Sequence, residues 1–312
     1  MEIGTTVPHA GPLASPSFVR EFCQAAEEAG FDGLWTIDHL VAPYHTDSLY
    51  TLGPRLAPIK DGAVSGTMGL NLEMNTTLAV AATVTRRVRL GTAVAVLPIR
   101  NPVLNARQLA SIDQYSGGRL LYGVGVGWLK EEADAMNMPW DRRGRRSDEA
   151  IRLMRTLWTA EGDVVEFSGE FFTLPPMDPD PRPVQRPIPI VVGGHSDAAL
   201  DRAARLGDGW IAAGMGPVRL EEHLAKLRAA CERHGRRFED LTIVSGASRA
   251  RREAADGEPG PDEVVAQLRT YAELGVHHLQ VAMTGQTPDE VLAALAAFGR
   301  DVLPALRATT SA

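Results

Sequence analysis

The feature that most restricts this chain is a strand-then-helix alternation repeated eight times. Apolar runs suited to buried parallel strands fall at residues 2–7, 33–37, 88–97, 119–124, 188–192, 209–213, 241–246 and 278–283. Helical spacing lies between them. Phe18, Phe22, Ala25, Ala26 and Ala29 share one face, as do Ile151, Met154, Leu157 and Trp158. Leu220, Leu224, Leu227 and Cys231 mark a later helix, and Leu292, Leu295, Phe298 and Val302 the last. Ser15-Pro16, Asn101-Pro102, Ser196-Asp197, Gly260-Pro261 and Thr287-Pro288 supply a cap or an early proline ahead of the periodic residues. Eight such units predict a (β/α)₈ TIM barrel, an α/β fold, rather than an open doubly wound sheet. A chain of 312 residues suits one such unit over 1–312.

Two connections are too long for simple loops. Residues 40–72, rich in Pro, Gly, Ser and Thr, follow the second strand and read as a lid-like insertion over the barrel mouth. Residues 161–187 precede the fifth strand. There Val164–Leu174 reads as a hairpin across Ser168-Gly169, and a proline-rich run from Pro175 to Pro189 returns to the barrel.

A net charge of −7 argues against a nucleic-acid partner. The two cysteines, Cys23 and Cys231, each sit in a helical pattern and read as buried free thiols. Met1–Thr5 carries no basic segment ahead of an apolar run, and no apolar stretch reaches membrane-spanning length. A soluble, cytoplasmic protein with no membrane partner is expected.

Barrel chemistry gathers where strands end and helices begin. That rule selects His9, Asp38-His39, Arg100-Asn101, Gly125, Gly127 and Trp128, Gly193-Gly194-His195, and Gly214-Met215. In Leu120-Leu-Tyr-Gly-Val-Gly-Val-Gly-Trp128, alternate glycines remove the Cβ atoms that would keep a ligand from the backbone amides, which predicts a cofactor cradle. A dinucleotide fingerprint is disfavoured, because Trp128 takes the place of its third glycine. A strand end that merely tolerates glycine is the plainer alternative.

In the Asp38-His39 pair, a carboxylate beside an imidazole can fix one tautomer and let it exchange protons near neutrality. Alternatively, Asp38 caps backbone amides and His39 packs beneath the long loop. His9, Asp38, His39 and His195 could meet around a metal, but no His-x-His pair or further acid completes such a site; no metal is expected. Arg100, the group Arg142, Arg143, Arg145 and Arg146, and the group Arg249, Arg251 and Arg252 all follow strands and suggest an anionic ligand at the mouth.

Several ordered blocks resemble the bacterial luciferase-like oxidoreductases. They are Gly30-Phe-Asp-Gly-Leu-Trp35 with Asp38-His39, Arg89-Leu-Gly-Thr92 leading to Leu97-Pro-Ile-Arg-Asn-Pro102, and Ser116-Gly-Gly-Arg119 leading to the glycine run. Val191-Val-Gly-Gly194, Arg202-Ala-Ala-Arg205 and Gly207-Asp-Gly-Trp210 complete the set. The likeness is strongest to the branch of probable coenzyme F420-dependent oxidoreductases. It implies a barrel that holds a flavin or 5-deazaflavin at the strand carboxyl ends, with a non-prolyl cis peptide at Ala93-Val94 against the ring. It also implies cofactor contacts from Gly125, Val126, Gly127, Trp128, Gly193, Gly194 and His195, and catalytic roles for His39 and Asp38. Where luciferase has an arginine for the flavin phosphate, the matching residue here is Leu121.

The resulting expectation is a homodimeric enzyme that transfers hydride between reduced coenzyme F420 and a small imine, enone or carbonyl substrate. In it His39 is the proton partner and Asp38 orients His39. A monooxygenase using reduced FMN and oxygen is the first alternative, and a metal-dependent barrel hydrolase the second.

Overall fold

A computed structural model describes residues 1–41, 43, 46, 48, 72–246 and 260–308. The first half of the barrel contains β1 (Glu2–Thr6), α1 (Pro16–Glu28), β2 (Gly33–Thr36), α2 (Met74–Val84), β3 (Arg89–Thr92) and the short β4 (Ala95–Val96). It continues through α3 (Pro102–Ser116), β5 (Leu120–Gly125), α4 (Lys130–Ala135) and α5 (Arg143–Thr159). After the hairpin β6 (Val165–Ser168) and β7 (Thr173–Met177) come β8 (Ile190–Gly193), α6 (Asp197–Leu206), β9 (Gly209–Ala212) and α7 (Pro217–Arg233). The chain closes with β10 (Thr242–Gly246), α8 (Pro261–Glu273), β11 (His278–Val281), α9 (Pro288–Asp301) and α10 (Leu303–Arg307).

The strands pair in parallel in the order β3-β2-β1-β11-β10-β9-β8-β5, and β5 returns to β3, which closes an eight-stranded (β/α)₈ barrel. β4 continues the third barrel strand and pairs Ala95 and Val96 with Val124 and Gly125. Strand alternation splits the core in two. Leu34, Leu90, Leu120, Tyr122, Ile190 and Ile243 point out to the helices, while Trp35, Leu121, Val191, Ile211 and Val244 pack inside the barrel with Ala93, Val94 and Ala213. The Trp35 ring fills the space left by three glycines on adjoining strands. A Cβ at Gly4 or Gly91 would overlap the indole, and one at Gly33 would crowd it.

The helix starts follow the sequence signals. Ser15, Asn101, Ser196 and Thr287 accept backbone N–H bonds from Phe18, from Val103 and Leu104, from Ala199 and from Glu290. The β6–β7 hairpin forms as expected, with its reversal running over residues 169–172. Glu149 of α5 is the reason: its carboxylate accepts the Glu170, Phe171 and Phe172 amides at 2.8–2.9 Å. Cys23 and Cys231 are free and buried. Most of the lid-like insertion, and Arg249, Arg251 and Arg252, lie outside the described residues. Among the described residues no helix is long and apolar enough to cross a membrane.

Candidate active site

The rim at the strand carboxyl ends brings together residues scattered through the sequence. At the third strand the peptide Ala93-Val94 is cis. The Val94 side chain lies between two neighbouring strand ends: a Cβ at Gly125 would approach its Cγ2 to 2.7 Å, and one at Gly193 its Cγ1 to 2.8 Å. These two glycines therefore accommodate the protein's own valine, a closer constraint than any the cradle reading required. Gly127, at φ +78°, turns the backbone after β5 towards Trp128.

Asp38 is not oriented towards His39. Its Oδ2 accepts the Val96 amide at 2.8 Å and Arg100 Nε at 3.1 Å, and its Oδ1 accepts Arg100 Nη2 at 2.6 Å. The Arg100 side chain is only 9% exposed and also reaches Glu73 Oε1 at 3.1 Å. Burial pushes the Glu73 carboxyl up, but the Thr76 amide and Arg100 outweigh it and hold the group below the usual carboxylate range. Asp38 is thus a framework anion that caps an amide, and the catalytic orienting role expected for it is corrected.

His39 takes its carboxylate from elsewhere. Its Nδ1 lies 3.3 Å from Glu132 Oε2, and the Glu132 side chain is 1% exposed. Glu132 Oε1 also accepts the Leu40 amide at 2.6 Å and the Val41 amide at 3.2 Å. The Trp128 ring meets His39 edge-on, with centroids 5.8 Å apart. α4, which carries Glu132, is seated by Ala133 in a small apolar cluster with Val96, Ile99 and Met138. Sequence reasoning missed Glu132. The available signal was an acid in the first turn of a helix just after the glycine loop, where two acids already suit the helix dipole.

His195 lies at the end of the fifth barrel strand, beside His223 of α7, with ring centroids 5.9 Å apart. Burial, then the His223 and Arg219 charges, push its imidazole down to about 4, against a hydrogen bond with the Ala213 backbone. Its Nε2 is buried without a partner among the described residues. His9 is buried and its ring nitrogens face the Val7 and Ile37 carbonyls, so it is structural. With His9, Asp38, His39 and His195 each held by separate neighbours, they do not form the metal set considered above.

The arginines after the fourth barrel strand have partners within the protein. Arg142 and Arg145 both pair with Glu170 of the hairpin turn, and Arg142 stacks on Phe171. Arg143 lies over Trp140, and Arg146 lies over Phe172 while donating to the Pro98 carbonyl. With Arg100 committed to Asp38 and Glu73, this cluster also ties the hairpin to α5, although Arg142 and Arg145 stay 49% and 70% exposed. Leu121 is likewise not a rim residue. It is 4% exposed inside the barrel, so its apolar character carries no information about a phosphate.

A family model described as luciferase-like monooxygenase matches residues 1–299. The chain belongs to that family. An uncharacterized protein of Mycobacterium tuberculosis (strain ATCC 25618 / H37Rv) is 37% identical over 229 residues, 73% of this chain and 76% of the relative. The F420-dependent glucose-6-phosphate dehydrogenase of Nakamurella multipartita is 29% identical and covers 94% of this chain and 93% of its own. The FMNH(2)-dependent dimethylsulfone monooxygenase of Pseudomonas putida is 39% identical over 139 residues, 43% of this chain and 38% of the relative. Among solved structures, the monooxygenase RslO1 from Streptomyces bottropensis superposes with a TM-score of 0.73 at 26% identity, covering 97% and 99% of the two chains. An F420-dependent secondary alcohol dehydrogenase shares the fold, with a TM-score of 0.75 at 18% identity and coverage of 98% and 99%.

This luciferase-like protein is therefore an oxidoreductase or monooxygenase of the kind that uses F420 or FMN. Its rim is compatible with a flat redox cofactor. Among the described residues, a Cβ at Gly214 or Gly216, just after the sixth strand, would meet nothing within 4 Å.

Proposed function

We propose that this protein transfers hydride between reduced coenzyme F420 and a small unsaturated substrate, an imine, enone or carbonyl. The observation that carries the reading is His39, a partly exposed imidazole at the rim with a buried carboxylate behind it. Support for F420 over FMN comes from the extent of likeness: the F420-dependent relative matches nearly end to end, the FMNH(2)-dependent one over less than half of the chain.

Ala93, Val94, Gly125, Val126, Gly127, Trp128, Gly193, Gly194 and His195 would hold the cofactor. Bound there, the deazaflavin ring supplies two electrons as hydride. His39, entering the step as the imidazolium, would deliver its Nε2 proton to the substrate heteroatom and be left neutral with its hydrogen on Nδ1 facing Glu132, which balances a carbonyl or imine reduction. Asp38 and Arg100 keep the Val96 backbone in place beneath the ring pocket. The second reading, an FMN-dependent monooxygenase, is favoured by the 39% identity to the Pseudomonas putida enzyme.

Titration with reduced F420 and, separately, reduced FMN, followed by fluorescence, separates the two. Sub-micromolar binding of FMN alone would replace the proposal with the monooxygenase. In the same protein, His39→Ala is expected to lower turnover about 10²-fold or more while leaving cofactor affinity within a few-fold. Unchanged turnover removes His39 from the mechanism.

A further inference from the structure

We infer that Glu132 is the positioning residue for His39: it selects the imidazole tautomer and leaves Nε2 as the nitrogen that exchanges a proton with substrate. The inference rests on the reading of His39 as proton partner, and it deepens that reading.

The argument starts from the inventory of donors. An ionised carboxylate only accepts hydrogen bonds. Glu132 already receives two backbone amides at Oε1, from Leu40 and Val41, and its Oε2 faces His39 Nδ1. Among the described residues no lysine or arginine pairs with it; its one ion-pair neighbour is His39. A neutral imidazole in this setting carries its hydrogen on Nδ1, where the acceptor is, and its lone pair on Nε2.

Two further contacts restrict the ring. Trp128, four residues before Glu132, stands edge-on to it with an interplanar angle of 83°. The amides that Glu132 binds belong to the two residues directly after His39, so one carboxylate fixes both the ring and the backbone that carries it. Glu131, the adjacent acid, does something different: its Oε2 accepts the Ser48 hydroxyl at 2.8 Å.

The informative variant is Glu132→Gln. Its amide oxygen can still accept the Leu40 and Val41 amides, but the group facing Nδ1 becomes a donor. That substitution inverts the tautomer while retaining the backbone contacts. Nitrogen-15 chemical shifts of the neutral His39 ring, recorded at a pH where it carries one proton, are expected to show Nδ1–H with an unprotonated Nε2 in the wild type, and the reverse in Glu132→Gln. Turnover should fall about 10- to 100-fold with cofactor affinity within a few-fold. The double variant His39→Ala with Glu132→Gln should match His39→Ala within about 2-fold, because a residue that acts only through His39 has nothing left to orient.

A wild-type spectrum with the hydrogen on Nε2 overturns the inference, and so do Glu132→Gln and His39→Ala losses that multiply. The wild-type spectrum needs no variant to fold. If neither F420 nor FMN binds, the functional proposal fails, and the tautomer measurement still decides the role of Glu132.

Discussion

Replacing Arg100 by methionine tests the reassignment of Asp38 from catalyst to framework. The Asp38 side chain is 1% exposed and the Arg100 side chain 9%, so this is a buried pair. Arg100→Met leaves the Asp38 carboxylate with the Val96 amide alone. Removing one member of a buried pair costs about 3–5 kcal/mol, because the remaining charge stays desolvated. The Glu73 contact adds little, since its carboxylate is 36% exposed and water can replace the guanidinium. At about 2 °C per kcal/mol for a chain this long, the midpoint of thermal unfolding should fall by about 6–10 °C. Asp38→Asn made together with Arg100→Met removes the stranded charge, and the asparagine carbonyl still accepts the Val96 amide. The double variant should therefore recover at least about 2 kcal/mol of the loss. Guanidinium midpoints of wild type, both single variants and the double variant complete the cycle. A loss below about 1 kcal/mol for Arg100→Met, or a double variant no more stable than it, refutes the framework assignment.

Two further outcomes follow from the same geometry. An unfolded histidine binds a proton at about pH 6.5, whereas folded His195 does so only at about 4. The stability it contributes is present above pH 6.5 and is lost as pH falls towards 4, so urea midpoints should decline across that window and His195→Asn should flatten the decline; equal slopes would contradict this. Gly123→Ala would drive a Cβ into the Thr92 carbonyl across the β3–β5 junction, where backbone cannot yield, at an expected cost of about 3 kcal/mol. Gly162→Ala, with nothing within 4 Å, should change stability by less than about 0.5 kcal/mol, and similar midpoints for the two would refute the packing argument.

The barrel was legible because its signals are local and periodic. Ile151, Met154, Leu157 and Trp158 are all buried as their spacing requires, and the capping residues stand where the chain announces them. The site was legible in part, for a reason visible in Asp38-His39. Consecutive residues leaving a strand tend to point to opposite sides, so adjacency in sequence argues against adjacency in space. The acid that reaches His39 comes from 93 residues away, a distance no spacing rule spans. The partners of the arginines were hidden for a related reason. Their density after the fourth barrel strand is plain in the sequence, but Glu170 and the Phe171-Phe172 pair that engage them arrive with a separate hairpin.

The indole of Trp35 has an evolutionary consequence. Because Gly4, Gly33 and Gly91 all give way to one ring, none of the four positions can drift alone: enlarging Gly4 or Gly91 collides with the ring, enlarging Gly33 crowds it, and shrinking the ring opens a void that three bare backbones cannot fill. Descendants of this sequence that alter this part of the barrel interior must change several residues together.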